Sequence, residues 1–273
     1  MIKKRIIPVV LLKNGQIVQS RLFKRHQVIG SPTAVVERLS NWSSDELIYI
    51  DISQHQLYDL SRDDLNQQSF SSIQEIIQQV AFKCHMPLSF GGGIRKIEDI
   101  DMRISSGADK VTINSLLYDK PNVVKEGVRK YGSQAIVASI DVKRDESGNF
   151  IVFKGGKHPL SVQLQDFVTQ IVDLGVGEIL LNAIHKDGTA SGFDIELINI
   201  VVDLVSIPVI ALGGAGNWEH FSEVLEKSNA SAVAAANIFQ HSENSYYKCK
   251  EYLAQQSLPV RFSSKLSNQS KNL

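Results

Sequence analysis

The chain has 273 residues, of which 43% are apolar and 21% charged, and its mean hydropathy is −0.07; this balance supports a sizeable core and excludes a chain disordered throughout. Basic and acidic side chains number 29 each, so no net field draws the protein to nucleic acid or to an anionic membrane. Two cysteines, Cys84 and Cys249, make neither a disulfide framework nor a metal-ligand spacing, and the apolar run Ile6 to Leu12 is too short for a signal peptide or membrane span, so the expectation is a cytoplasmic protein with no metal or cofactor.

Along the chain, short Val- and Ile-rich runs recur at Ile6 to Leu12, Leu47 to Ile52, Leu88 to Phe90, Val111 to Asn114, Ala135 to Val142, Ile179 to Ile184, Val209 to Leu212 and Ala232 to Ala236. Most are apolar throughout instead of alternating, as strands covered on both faces are. Helix-period stretches separate them. Ser72 and Glu75 have capping-box spacing ahead of Ile76, Ile77, Val80 and Ala81. Pro121 opens a second stretch that Gly132 closes, and a third, with apolar positions from Val162 to Leu174, ends at Gly175. Strand and helix alternating eight times predict a (β/α)8 TIM barrel, for which ~250 residues is typical; an open doubly wound sheet is the alternative. Residues 1–262 form the single barrel in this reading, and 263–273, rich in Ser, Asn and Lys, form a disordered tail.

The chain also resembles itself. PLSFGGGIRKIED around Gly91 matches PVIALGGAGNWEH around Gly213, an offset of 122 that also takes Asn114 to Ala236. A slightly larger offset takes Lys13 to Lys143, so two related half-barrels, about 1–130 and 131–262, are expected.

In such a barrel the reaction end is built by the loops that follow the strands. Gly91, Gly92 and Gly93 follow the third run, and Gly213 and Gly214 the seventh. Glycines there let backbone N–H groups close on an anion, so the pair suggests a substrate with a phosphate at each end. Asn114 with Ser115, and Ala236 with Asn237, stand where they would complete the two sites. Asp51, Asp141 and Asp187, the last followed by Gly188, are carboxylates at strand ends. Asp141 is the favoured acid/base group; for Asp51 and Asp187, binding a loop amide stands equally beside a substrate role. His185, the one histidine placed at this rim, is expected to face solvent and takes no catalytic assignment.

The stretches KRIIPVVLLKNGQIV, ELIYIDIS, PLSFGGGIRKIED, GADKVTINS, ASIDVKRDESGNFIVF, GEILLNAIHKDGTASGFD and PVIALGGAGNWEHF resemble the cyclase subunit of imidazole glycerol phosphate synthase. The likeness spans about Lys4 to Phe262 and extends, less closely, to the phosphoribosyl isomerase of histidine synthesis. It implies a subunit that takes ammonia from a glutaminase docked at the N-terminal rim, passes it through the barrel and adds it to a bisphosphorylated ribulosyl substrate. It also implies an ammonia gate of Arg5, Glu46, Lys110 and Glu178, with Asp109 on the partner-facing rim. The reaction end departs from the family pattern. Of its two acid/base aspartates the fifth-strand one is Asp141, but the first falls on Leu11; a substrate-holding lysine falls on Gln19, a phosphate-loop serine on Leu212 and another on Asn237. Loss of one such group typically costs 10²- to 10⁴-fold. Three functions are therefore expected in order: a divergent paralogue whose ammonia serves the amidination of a surface-polysaccharide sugar with a sugar amidotransferase; a true cyclase of histidine biosynthesis; and a non-catalytic scaffold that activates a glutaminase and channels ammonia.

Overall fold

The computed structural model describes residues 3–21, 25–53, 58, 70–240 and 244–262, and the tail expected at 263–273 lies outside them. The first half runs β1 (Arg5–Lys13), β2 (Gln16–Arg21), β3 (Arg25–Gly30), α1 (Pro32–Asn41), β4 (Leu47–Asp51), α2 (Ile73–Lys83), β5 (Leu88–Gly91), α3 (Ile97–Ser105), β6 (Lys110–Ile113), α4 (Ser115–Asp119) and α5 (Pro121–Tyr131). The second runs β7 (Ile136–Arg144), β8 (Phe150–Lys154), β9 (His158–Pro159), α6 (Leu164–Asp173), β10 (Glu178–Ala183), α7 (Ile195–Leu204), β11 (Val209–Leu212), α8 (Trp218–Lys227), β12 (Ala232–Ala235) and α9 (Ser245–Gln255).

Among the described residues, β1, β4, β5, β6, β7, β10, β11 and β12 pair in parallel in that order, and β12 returns to β1. The sheet therefore closes into a (β/α)8 barrel, and the doubly wound alternative falls away. These strands coincide with the eight apolar runs. Their pleat sorts side chains between two cores. Ile6, Val10 and Leu12 of β1 pack outward under the helices. Ile7 and Val9 point inward to meet Ile48, Val137, Leu180, Ile210, Ala232 and Ala234 in the barrel centre. Each of these fully buried Ile, Val or Leu side chains contributes roughly 1.5–3 kcal/mol.

The helix signals act as read, with one shift. Ser72 caps α2 by accepting from Glu75 N at 3.4 Å, but the Glu75 carboxylate returns to Ser71 N at 2.8 Å instead of to Ser72. Two hairpins lie outside the sequence expectation. Asn14 and Gly15 both take positive φ, 48° and 75°, the requirement of a tight two-residue hairpin turn; β2 folds back on β1 and β3 on β2. β8 likewise returns along β7, and β9 along β8. Both hairpins extend strands that outrun the barrel, β1 and β7 having 9 residues each, so both stand at the end of the barrel where the strands finish.

Candidate active site at the barrel mouth

Charges gather first at the N-terminal end. Arg5 opens β1, Glu46 precedes β4, Lys110 opens β6 and Glu178 opens β10, and the pleat turns all four inward. Arg5 Nη1 meets Glu46 Oε2 at 2.5 Å and Nη2 pairs with Glu178. Lys110 Nζ reaches Glu46 Oε1 at 2.8 Å and Glu178 Oε2 at 3.0 Å. Two cations and two carboxylates thus alternate in a closed ring, with Glu46 1% and Glu178 6% exposed. A buried charge is costly unless it is answered by its opposite, and here every carboxylate oxygen is. A second layer holds the ring's backbone. Asp45 accepts from Lys250 Nζ at 2.7 Å and from Ile6 N at 2.9 Å, while the Tyr246 hydroxyl donates to Ile6 O and accepts from Asp45 N, both at 2.8 Å. Asp109, exposed at the same rim, accepts from Leu88 N at 2.8 Å.

Above the ring, among the described residues, the inward row is apolar apart from Ser139 on β7 and the Ser89 and Thr112 hydroxyls, 2.7 Å apart. At the mouth, Asp141 ends the inward row of β7. It accepts from Asn114 Nδ2 on one side and Asn182 Nδ2 on the other, each at 3.0 Å, and from Gly156 N in the hairpin beyond β8. The adjacent Gly155 N donates to Asn114 Oδ1 at 2.8 Å, so that turn roofs the carboxylate. Burial pushes the Asp141 carboxyl up to about 6, against the pull of its three donors and with some help from the Asp187 charge. Burial raises the Asp187 carboxyl as well, and Gly188 N opposes that by donating to it. A carboxyl held near neutrality can both take and give a proton.

The opposite wall differs in kind. Leu11 on β1 lies beside Ile50 on β4, and Ile50, Leu212 and Ala236 pack on the inner apolar cluster. The mouth is therefore split: β11, β12, β1 and β4 give an apolar arc, and β6, β7 and β10 a polar one centred on Asp141.

Both glycine loops are built around backbone approach. A Cβ on Gly92, whose φ is +91°, would sit 1.9 Å from the Asp51 carbonyl oxygen, and one on Gly214, φ +107°, 2.1 Å from that of Gly192. Only glycine fits at either. Gly91 ends β5, Gly93 is exposed, and Gly213 follows β11. Ser115 opens α4 behind its N-cap Asn114, and Asn237 follows Ala236 at the end of β12 in a 3-10 turn. Asp51 is committed to its own loop, accepting from Ser53 N and from the Tyr58 hydroxyl, both at 2.9 Å. His185 departs from the sequence expectation. It is half-buried, 3.0 Å from Asp194 through Nε2, because the same Asp194 caps α7 and pairs with Arg144 at 3.2 Å. Nor is it alone at this rim: His26 on β3 lies 3.4 Å from Lys13 Nζ, and His220 accepts from Gly216 N at 3.1 Å.

A family model described as histidine biosynthesis protein matches residues 5–245. The imidazole glycerol phosphate synthase subunit HisF of Staphylococcus carnosus (strain TM300) is 38% identical over 264 residues, covering 96% of this chain and 100% of that protein. The chain belongs to this HisF-like family. The same-named subunit of Streptococcus mutans (serotype c, strain ATCC 700610 / UA159) is 35% identical over 262 residues, covering 96% and 100%. Among the described residues of this HisF-like chain, no helix is long and apolar enough to cross a membrane.

Several residues of the site escape a sequence reading. Asn182 lies inside an apolar run, and only the two-residue period from Glu178 through Leu180 would have placed it beside Asp141. Its Oδ1 is buried with no hydrogen-bond partner among the described residues. The Asp45, Tyr246 and Lys250 contacts join positions about 200 residues apart, which no local pattern signals.

Proposed function

We propose that this HisF-like chain receives glutamine-derived ammonia at its N-terminal rim and delivers it to an acceptor other than the ribulosyl substrate of the cyclase reaction. The observation that carries this reading is the split mouth above an intact ring. All four charges of the expected gate are present and mutually paired, whereas the wall that should hold the first acid is apolar at Leu11, at its neighbour Ile50 on β4 and, further round the barrel, at Leu212 and Ala236. The apolar arc runs across β11, β12, β1 and β4 and is not confined to Leu11.

In this reading a glutaminase docks on the rim beside the ring. Lys3, Trp42, Asp45, His85, Tyr247 and Lys250 help line a groove of about 680 Å³ there. Neutral ammonia then crosses the apolar interior, where Ser89 and Thr112 offer hydrogen bonds, and arrives between Asp141 and Asn182. Asp141 serves as the base that takes a proton from the attacking nitrogen. The two glycine loops hold phosphoryl groups of the acceptor, which we assign to a nucleotide-activated acetamido sugar destined for surface polysaccharide; together with a sugar amidotransferase its acetamido carbon gains the ammonia nitrogen and loses its oxygen as water, giving the amidine.

One observation favours a second reading, true cyclase activity in histidine biosynthesis: the full-length identity to two HisF subunits. Expression with its own glutaminase in a histidine auxotroph lacking the cyclase decides between them. No rescue is expected; growth without histidine would establish the second reading. A channelling scaffold, the third reading, requires Asp141→Asn to leave product formation intact, and we expect it to abolish it.

A further inference from the structure

We propose that Arg103 is a positioning residue for an anion held at the Gly91–Gly93 loop: from beneath, its guanidinium fixes and polarises the Gly93 N–H and sets a buried positive charge behind it. The proposal rests on reading that loop as a phosphate cradle. Arg103 stands on α3 and is 3% exposed. Helical side chains lean toward the start of their helix, and this one reaches back to the loop. Nη1 donates to the Asp99 carbonyl at 2.9 Å and Nη2 to the Gly92 carbonyl at 2.5 Å.

The guanidinium is under-answered where it lies. Nε is buried with no hydrogen-bond partner among the described residues. The acids whose charge it feels are Asp99 and Asp51, and both are engaged elsewhere. Asp99 accepts from Arg95 N and Lys96 N at 2.8 and 3.2 Å, and Asp51 from Ser53 N and the Tyr58 hydroxyl. Arginine does not shed its proton to escape burial, so an incoming anion is the partner this charge lacks.

The loop geometry gives the charge its direction. In a planar trans peptide the carbonyl and the following N–H point opposite ways. With the Gly92 carbonyl drawn down onto Arg103, the Gly93 N–H turns up, and Gly93 is exposed. A hydrogen bond accepted by the carbonyl also strengthens the donor at the other end of that peptide. The second loop has no such device. The offset of 122 that relates the two glycine loops takes Arg103 to Leu225, and there the Gly214 carbonyl accepts from Gly192 N at 2.9 Å.

Titration of inorganic phosphate into the ¹⁵N-labelled chain, with the Gly93 and Gly214 amides as separate reporters, tests this. In the wild type both signals move. In Arg103→Leu the affinity read at Gly93 falls on the order of tenfold or more, while that at Gly214 holds; Arg103→Lys recovers most of the loss. Arg103→Gln, which keeps a donor without the charge, falls between and serves if the leucine variant does not fold. Wild-type affinity at Gly93 in the folded leucine or glutamine variant overturns the proposal. Equal losses at both loops, or failure of lysine to restore binding, overturn it too, because they mark a general defect of the fold. Phosphate that moves neither amide in the wild type overturns the cradle reading, and this inference with it.

Discussion

Asp141→Asn separates what the carboxylate costs the fold from what it does at the mouth. Burial holds the Asp141 carboxyl at about 6 in the folded chain against an ordinary 3.8. Between those values the folded state keeps a proton that the unfolded state has released, so stability falls as pH rises from about 4 to about 6 and then levels. The full difference is worth about 3 kcal/mol, of which about 2 kcal/mol is developed between pH 4.5 and pH 8. Asparagine carries no charge and escapes this loss. It presents an amide to donors from Asn114 and Asn182, but that mismatch does not depend on pH and cancels when the two proteins are compared across pH. Urea midpoints measured for both at pH 4.5, 6 and 8 should therefore show the variant gaining about 2 kcal/mol on the wild type over that span, while its product formation disappears. Parallel stability curves would refute the reasoning, since they would mean that the fold does not hold this carboxyl against ionisation.

Lys110→Met leaves Glu46 and Glu178 sharing only Arg5, and should lower stability by about 3–5 kcal/mol. Adding Glu178→Leu restores a one-to-one pair of Arg5 with Glu46, so the double variant should be more stable than Lys110→Met alone; additive losses in a denaturation cycle would contradict a coupled ring. Gly92→Ala should cost about 3 kcal/mol or more, because its new methyl has nowhere to go beside Asp51 O; a thermal scan indistinguishable from wild type would count against the loop geometry. Asn182→Leu removes a donor that favours the ionised Asp141, so a carboxyl ¹³C titration should find Asp141 ionising at higher pH, and an unmoved or lowered midpoint would remove Asn182 from the site. Leu11→Asp, placing a lone carboxylate in the apolar arc, should give no cyclase turnover in an ammonia-dependent assay; measurable turnover would mean that only the one acid had been lost.

The barrel was legible because buried parallel strands announce themselves as unbroken apolar runs, and because Pro121, Gly132 and Gly175 punctuate helices by local chemistry. The hairpins were not, although Asn14 and Gly15 carried the turn signal for the first. A strand that outruns the barrel differs in sequence only by polar residues such as Lys13 and Lys143, which read as loop. At the site, family likeness singled out the four ring charges and Asp141. It named Leu11 and Leu212 as departures but not the arc they belong to, because Ile50 is an unremarkable strand residue until β4 pairs with β1 and sets it beside Leu11. His185 was misplaced for a similar reason. Its partner Asp194 reads as a helix cap, and only the structure folds Arg144 and the imidazole onto that same carboxylate.

The central claim is that the ammonia route persists while the cyclase chemistry does not. It is tested most directly by supplying the purified chain with the bisphosphorylated ribulosyl substrate and ammonium chloride, without glutaminase, and following release of imidazole glycerol phosphate beside the Staphylococcus carnosus HisF subunit. The account predicts a rate at least 10²-fold below that relative. A rate within about tenfold of it would contradict the account and return the chain to histidine biosynthesis.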